Sequence, residues 1–124
     1  MGKRLRVVKK QEEYGEVAMF NYRYADFANL LSVLDCDIHC DSEEDYARFD
    51  VPVEDFRNAM DIMENYVNGE HDKITTIDVA DIDEALDGIY GDHDIGQAEY
   101  ILETMKLYYE ERDKEKSYMI FVAF

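Results

Sequence analysis

The densest group of potential metal ligands in the chain is Asp35-Cys36-Asp37-Ile38-His39-Cys40-Asp41. A zinc centre takes four ligands, usually as two well-separated Cys or His pairs. Here the second pair is missing, and the other histidines, His71 and His93, stand far along the chain. In a strand, Cys36, Ile38 and Cys40 share one face and His39 points the opposite way. The segment therefore predicts two reduced, core-facing thiols and no metal site, as for cysteines of a cytoplasmic protein. Glu70-His71-Asp72 and Asp92-His93-Asp94 each set a histidine between carboxylates, which could orient it as a base. No serine among Ser32, Ser42 and Ser117 sits in a nucleophile elbow, so no catalytic residue is assigned.

Two loops imitate known ligand sites and fail on chemistry. Asp83, Asp87, Gly88 and Asp94 match calcium-loop positions one, five, six and twelve, but Ala85 occupies the third and an Asp replaces the bidentate Glu. A helix ending at Gly88 is the better account. Gly88, Gly91 and Gly96 could suggest a phosphate loop, yet Asp92 and Asp94 between them repel phosphate. No cofactor is expected.

What remains is charge. The formal net charge is −17 over 124 residues. Residues 1–10 hold five of the 13 basic residues and no acid, so the other 114 carry 30 acids against 8 bases, a net of −22. Two stretches contain no Lys or Arg. The first holds Asp35, Asp37, Asp41, Glu43, Glu44 and Asp45; the second holds Asp78, Asp81, Asp83, Glu84, Asp87, Asp92 and Asp94. Such surfaces repel nucleic acids and anionic membranes and attract basic protein patches. Carboxylates one helical turn apart are about 5–6 Å from each other, comparable to successive phosphates on a strand. Rows of them can enter the basic groove of a nucleic-acid-binding protein and release its counterions. The thirteen residues named are the expected partner-binding face. Composition implies a non-enzymatic protein-interaction domain, in its sharpest form a nucleic-acid mimic that inhibits a DNA- or RNA-binding protein. The alternatives are a small metal-dependent or acid–base enzyme using the His39, His71 and His93 regions, and a self-associating domain, a homodimer for instance.

The elements that must carry these residues follow from apolar spacing. The sequence is 47% hydrophobic and 13% aromatic, too apolar for disorder, with one proline and no linker composition, so one domain over residues 1–124 is expected. No apolar run approaches the roughly 20 residues of a membrane helix. The basic start at Lys3, Arg4 and Arg6 lacks a following apolar stretch, so no signal peptide is expected, and Arg6 stands where myristoylation wants Ser or Thr. Leu5–Val8 and Val17–Tyr22 read as strands of a hairpin. Phe27, Leu30, Leu31 and Leu34 predict a helix over 24–34. Cys36–Cys40 and Ala47–Val51 alternate as strands around a polar turn at 41–45.

Pro52 opens a second helix, with Phe56, Ala59, Met60, Met63 and Val67 inward and Asn68-Gly69 as its stop. Ile74–Ile77 reads as a short strand. Asp78 caps a third helix with Val79, Ile82, Leu86 and Ile89 inward; 88–96 reads as a loop. Asp94 caps a fourth, with Ile95, Ala98, Leu102, Met105 and Tyr109 as its stripe and 110–116 in solvent. Tyr118–Phe124 is apolar on both faces and predicts an interior strand.

The fold class is α+β: a mixed sheet with helices mainly on one face. Residues 17–77 run in the βαββαβ order of the ferredoxin-like unit, followed by an ααβ extension. The expected core is Phe20, Phe27, Leu30, Leu31, Leu34, Phe49, Phe56, Met60, Met63, Leu86, Leu102, Ile120 and Val122.

Overall fold

The computed structural model describes residues 5–7, 24–43, 46–91 and 94–123, with side chains over 27–39, 49–89, 91 and 94–121. The chain is α+β. In order it forms β1 (Leu5–Val7), α1 (Tyr24–Val33), β2 (His39–Glu43), β3 (Tyr46–Pro52), α2 (Val53–Val67), a 3-10 turn (His71–Lys73), α3 (Val79–Tyr90), α4 (Ile95–Glu111) and β4 (Tyr118–Ala123). The sheet order is β1-β4-β3-β2, so the C-terminal strand is interior, as its two apolar faces predict. Among the described residues every pairing is antiparallel, where a mixed sheet was expected, with Phe49 opposite Phe121 and Val51 opposite Met119.

Those four residues are almost fully buried and form the inner face of the sheet. Phe121 lies at the centre of an aromatic cluster, 5.0 Å from the Phe49 ring, 5.3 Å from Tyr108, 5.7 Å from Phe27 and 5.8 Å from Phe56. Helices α1, α2 and α4 thus each place an aromatic ring on β4. The opposite sheet face is only half-covered at Asp50, Pro52 and Ile120. Ile120 is therefore not a core residue: in a strand apolar on both faces, alternation alone does not say which side the helices cover. Met60 is likewise half-buried and packs at the edge of the core.

Several sequence expectations shift. The strand predicted at Cys36–Cys40 begins at His39 and continues through Asp41 and Glu43, where a turn was expected, because pairing with β3 outweighs the poor strand propensity of those residues. Glu43 pairs with Tyr46; Glu44 and Asp45 are outside the described residues. Ile74–Ile77 forms no strand. Ile74 is buried as a single anchor while Thr75 and Thr76 are exposed, and β-branched residues make a strand only where a partner edge is available. The closing strand of the 17–77 ferredoxin-like order is thereby missing. Val17–Tyr22, with Phe20, lies outside the described residues, as does the side chain of Val122.

Helix α3 runs through Gly88 and stops at Gly91, whose φ of 86° suits a residue without Cβ. In α4 the buried stripe is Ala98, Ile101, Leu102, Thr104, Met105 and Tyr108. It is rotated from the expected one, leaving Ile95 54% exposed and Tyr109 half-buried. The spacing from Ala98 to Leu102 and Met105 fits both stripes at its centre, and only the ends tell them apart.

Candidate functional site

Helix α3 carries the longest stretch of acidic positions with described side chains. Asp78 starts it: its Oδ1 accepts the Ala80 N–H at 3.1 Å. Ile82, Ala85 and Leu86 are buried, and this apolar stripe seats α3 beside α1. The outward positions are Asp81, Asp83, Glu84 and Asp87, all exposed. A depression of about 290 Å³ between the two helices is lined by Asn29 and Val33 of α1 and by Asp81, Glu84 and Ala85 of α3. Two residues beyond Val33, Asp35 reaches a second depression of about 420 Å³, shared with Asp55 and Asp61 of α2 and with Lys73, Thr75 and Thr76. Its apolar lining is Leu34, Ile62 and Ile74. The two depressions share no lining residue: Asp35 groups with Asp55 and Asp61, and Asp81 groups with Glu84.

The other predicted carboxylates do different things. Asp83 accepts a hydrogen bond from the hydroxyl of Tyr66, a residue 6% exposed. Burial and this carboxylate together hold the phenol above its ordinary pKa. Asp94 forms a capping box: its Oδ1 accepts the Gln97 N–H at 3.0 Å, and Gln97 Oε1 accepts the Asp94 N–H at 2.9 Å. Asp37 stands at the far side of Asp35, with Oδ2 3.4 Å from His39 Nε2, both side chains well exposed. Asp41 and Glu43 lie in β2 with undescribed side chains, and Glu44, Asp45 and Asp92 are outside the described residues.

The two described histidines lie in different elements. His39 opens β2 beside Asp37, and His71 lies in the 3-10 turn, stacked on the Tyr66 ring at 5.3 Å with the planes 9° apart. Glu70 pairs with Lys73 at 3.3 Å. His93 is outside the described residues. Cys36 is buried, and its thiol donates to the Asp55 carbonyl oxygen at 3.5 Å. Burial, then Asp55 and Asp35, push its pKa from 9.0 up to about 12, which suppresses the reactive thiolate. Among the described residues no three His, Cys, Asp or Glu side chains are grouped to hold a metal ion, and no helix is long and apolar enough to cross a membrane.

Asp55 and Asp61 were missed by sequence reasoning. They lie on an amphipathic helix whose acids look like an ordinary solvated face, and only the docking of the chain after α1 onto α2, through Cys36 and Asp37 at Asp55, brings them to Asp35. Asp55 also holds the chain after α1 in place, its Oδ2 accepting the Asp37 N–H at 2.9 Å. No protein-family profile, curated protein or solved structure matches the chain.

Proposed function

We propose that this chain is a non-enzymatic acidic interaction domain that presents carboxylates to a basic protein surface, as a nucleic-acid mimic directed at a DNA- or RNA-binding protein. The observation that carries the reading is the outer surface of α3. Asp81, Asp83, Glu84 and Asp87 are exposed within two turns, and no base stands among them. Each exposed ion pair contributes only about 0–1 kcal/mol, so affinity comes from many carboxylates together and falls steeply with salt. The surface acts in the cytoplasm, where Cys36 stays a thiol, and it does not bind nucleic acid itself.

The Tyr66–Asp83 bond decides how to test this. Asp83 supports a buried hydroxyl, so reversing it would disturb the fold. Glu84→Lys with Asp87→Lys keeps the Asp83 acceptor of that bond, and a cation near the end of α3 suits the helix dipole. The double variant is expected to lose at least ten-fold in capture of basic proteins from lysate at low salt, while its thermal midpoint stays level or rises as self-repulsion falls. Capture equal to wild type would remove α3 as the binding surface.

A further inference from the structure

The depression of about 420 Å³ beside α2 is within the roughly 300–1,000 Å³ of small-ligand sites. Its floor is apolar: Leu34 and Ile74 are buried, and Ile62 is half-buried. Carboxylates stand at two separate ends of that floor. At one end the Cys36 thiol lies 3.5 Å from the Asp55 carbonyl oxygen, which brings Asp35, its neighbour in the chain, to Asp55. Asp55 Oδ2 accepts the Asp37 N–H, and Oδ1 remains for a ligand. At the other end Asp61 lies six residues further along α2, about 9 Å of helix rise. Lys73, on the facing wall, is paired with Glu70 at 3.3 Å. Asn58, Thr75 and Thr76 line the walls, and among the described residues no protein group is bonded to their side chains.

A metal ion is a point charge and needs its carboxylates together, whereas no three are grouped here among the described residues. Separated carboxylates over an apolar floor match an elongated ligand with a cation at each end and methylenes between. We propose that this depression binds a linear aliphatic diamine or polyamine in its ammonium form. One ammonium donates to Asp35 and Asp55, and the other to Asp61. The methylene chain lies on Leu34, Ile62 and Ile74, as a lysine stem lies on apolar surface. The Asn58 amide oxygen and the two threonine hydroxyls accept remaining N–H groups. Charge sets the sign of the ligand, and the separation of the two ends sets its length. The depression shares no residue with the outer surface of α3, so failure of this inference leaves the proposed function standing.

Calorimetric titration of the full chain with α,ω-diaminoalkanes of increasing length tests it. Affinity should pass through a maximum at one length. The monoamine of that length should bind about ten-fold more weakly, having lost one charge-assisted contact. Magnesium chloride at equal charge should not displace the diamine. Asp61→Asn, at an exposed position, should weaken the best diamine by about ten-fold. Asp35→Gly should weaken it as well, and this variant keeps the fold because glycine suits the φ of 72°. The Glu84→Lys, Asp87→Lys protein at moderate salt should bind the diamine as wild type does. Five results overturn the proposal: no diamine binds, affinity does not depend on length or rises steadily with it, magnesium displaces the diamine, a folded Asp61→Asn protein binds as well as wild type, or a lysine-only peptide binds more tightly than every diamine.

Discussion

Asp35 is the residue whose local conformation and surface role are in tension. It has φ 72°, in the left-handed region that L side chains avoid. The hydrogen bonds explain why it is there: Cys36 N–H reaches the Leu31 carbonyl and Asp35 N–H the Ser32 carbonyl, both at 3.0 Å, the Schellman ending of α1. Helix α2 ends in the same way, with Gly69 at φ 76° and the bonds Glu70 to Asn65 and Gly69 to Tyr66. Glycine is the usual residue at this position, so Asp35→Gly should stabilise the fold by about 0.5–1 kcal/mol in denaturant titration. A loss of stability would mean that the carboxylate makes a favourable contact outweighing the strain. Cys36 gives a pH test. Its folded pKa is raised, so the native state keeps the proton longer than the unfolded chain does. The stabilisation is therefore complete below 9.0 and lost as pH rises toward about 12. The stability gap between wild type and Cys36→Ala should narrow over that window, and a constant gap would contradict the assigned burial. Of the two thiols expected to face the core, Cys36 is buried, though ahead of the strand and not in it, and the side chain of Cys40 lies outside the described residues. The positive φ at Asp35 was not legible, because a helix ending in Leu-Asp-Cys carries no glycine signal.

At the scale of elements, the four helices were readable, because apolar residues at three- and four-residue spacing specify a helix whatever it packs on. The strands were readable where both faces are apolar, as in β4, and misplaced where pairing alone makes the strand, as in β2. Gly88 shows a third kind of miss. Gly is a common helix stop, so the sequence ends α3 there, but packing of Leu86 and Ile89 carries the helix to Gly91. Two opposite outcomes follow. A Cβ at Gly88 meets no atom within 4 Å, so Gly88→Ala should raise stability by about 0.5–1 kcal/mol. Gly91→Ala meets no atom either, but φ 86° opposes it, and it should cost about 1–2 kcal/mol. Thermal unfolding of the two variants decides where α3 ends: if Gly88→Ala destabilises, the helix does not run through it.

For the whole molecule, the charge that dominates the sequence also dominates the surface. Its acidic character was legible from residue counts; its arrangement was legible only in part. Asp35 shares a depression with Asp55 and Asp61 of α2, Asp81 and Glu84 line another beside α1, and Asp78, Asp83 and Asp94 are occupied in capping or supporting the fold. None of these juxtapositions is written in the spacing of acids along the chain. The central claim is that this surface takes the place of nucleic acid on a basic protein, and competition tests it most directly. Wild-type chain immobilised at low ionic strength should capture basic proteins from nuclease-treated lysate, and added duplex DNA or RNA should release them in proportion to its concentration. Proteins that stay bound in excess nucleic acid, or capture unaffected by raising salt, would contradict it.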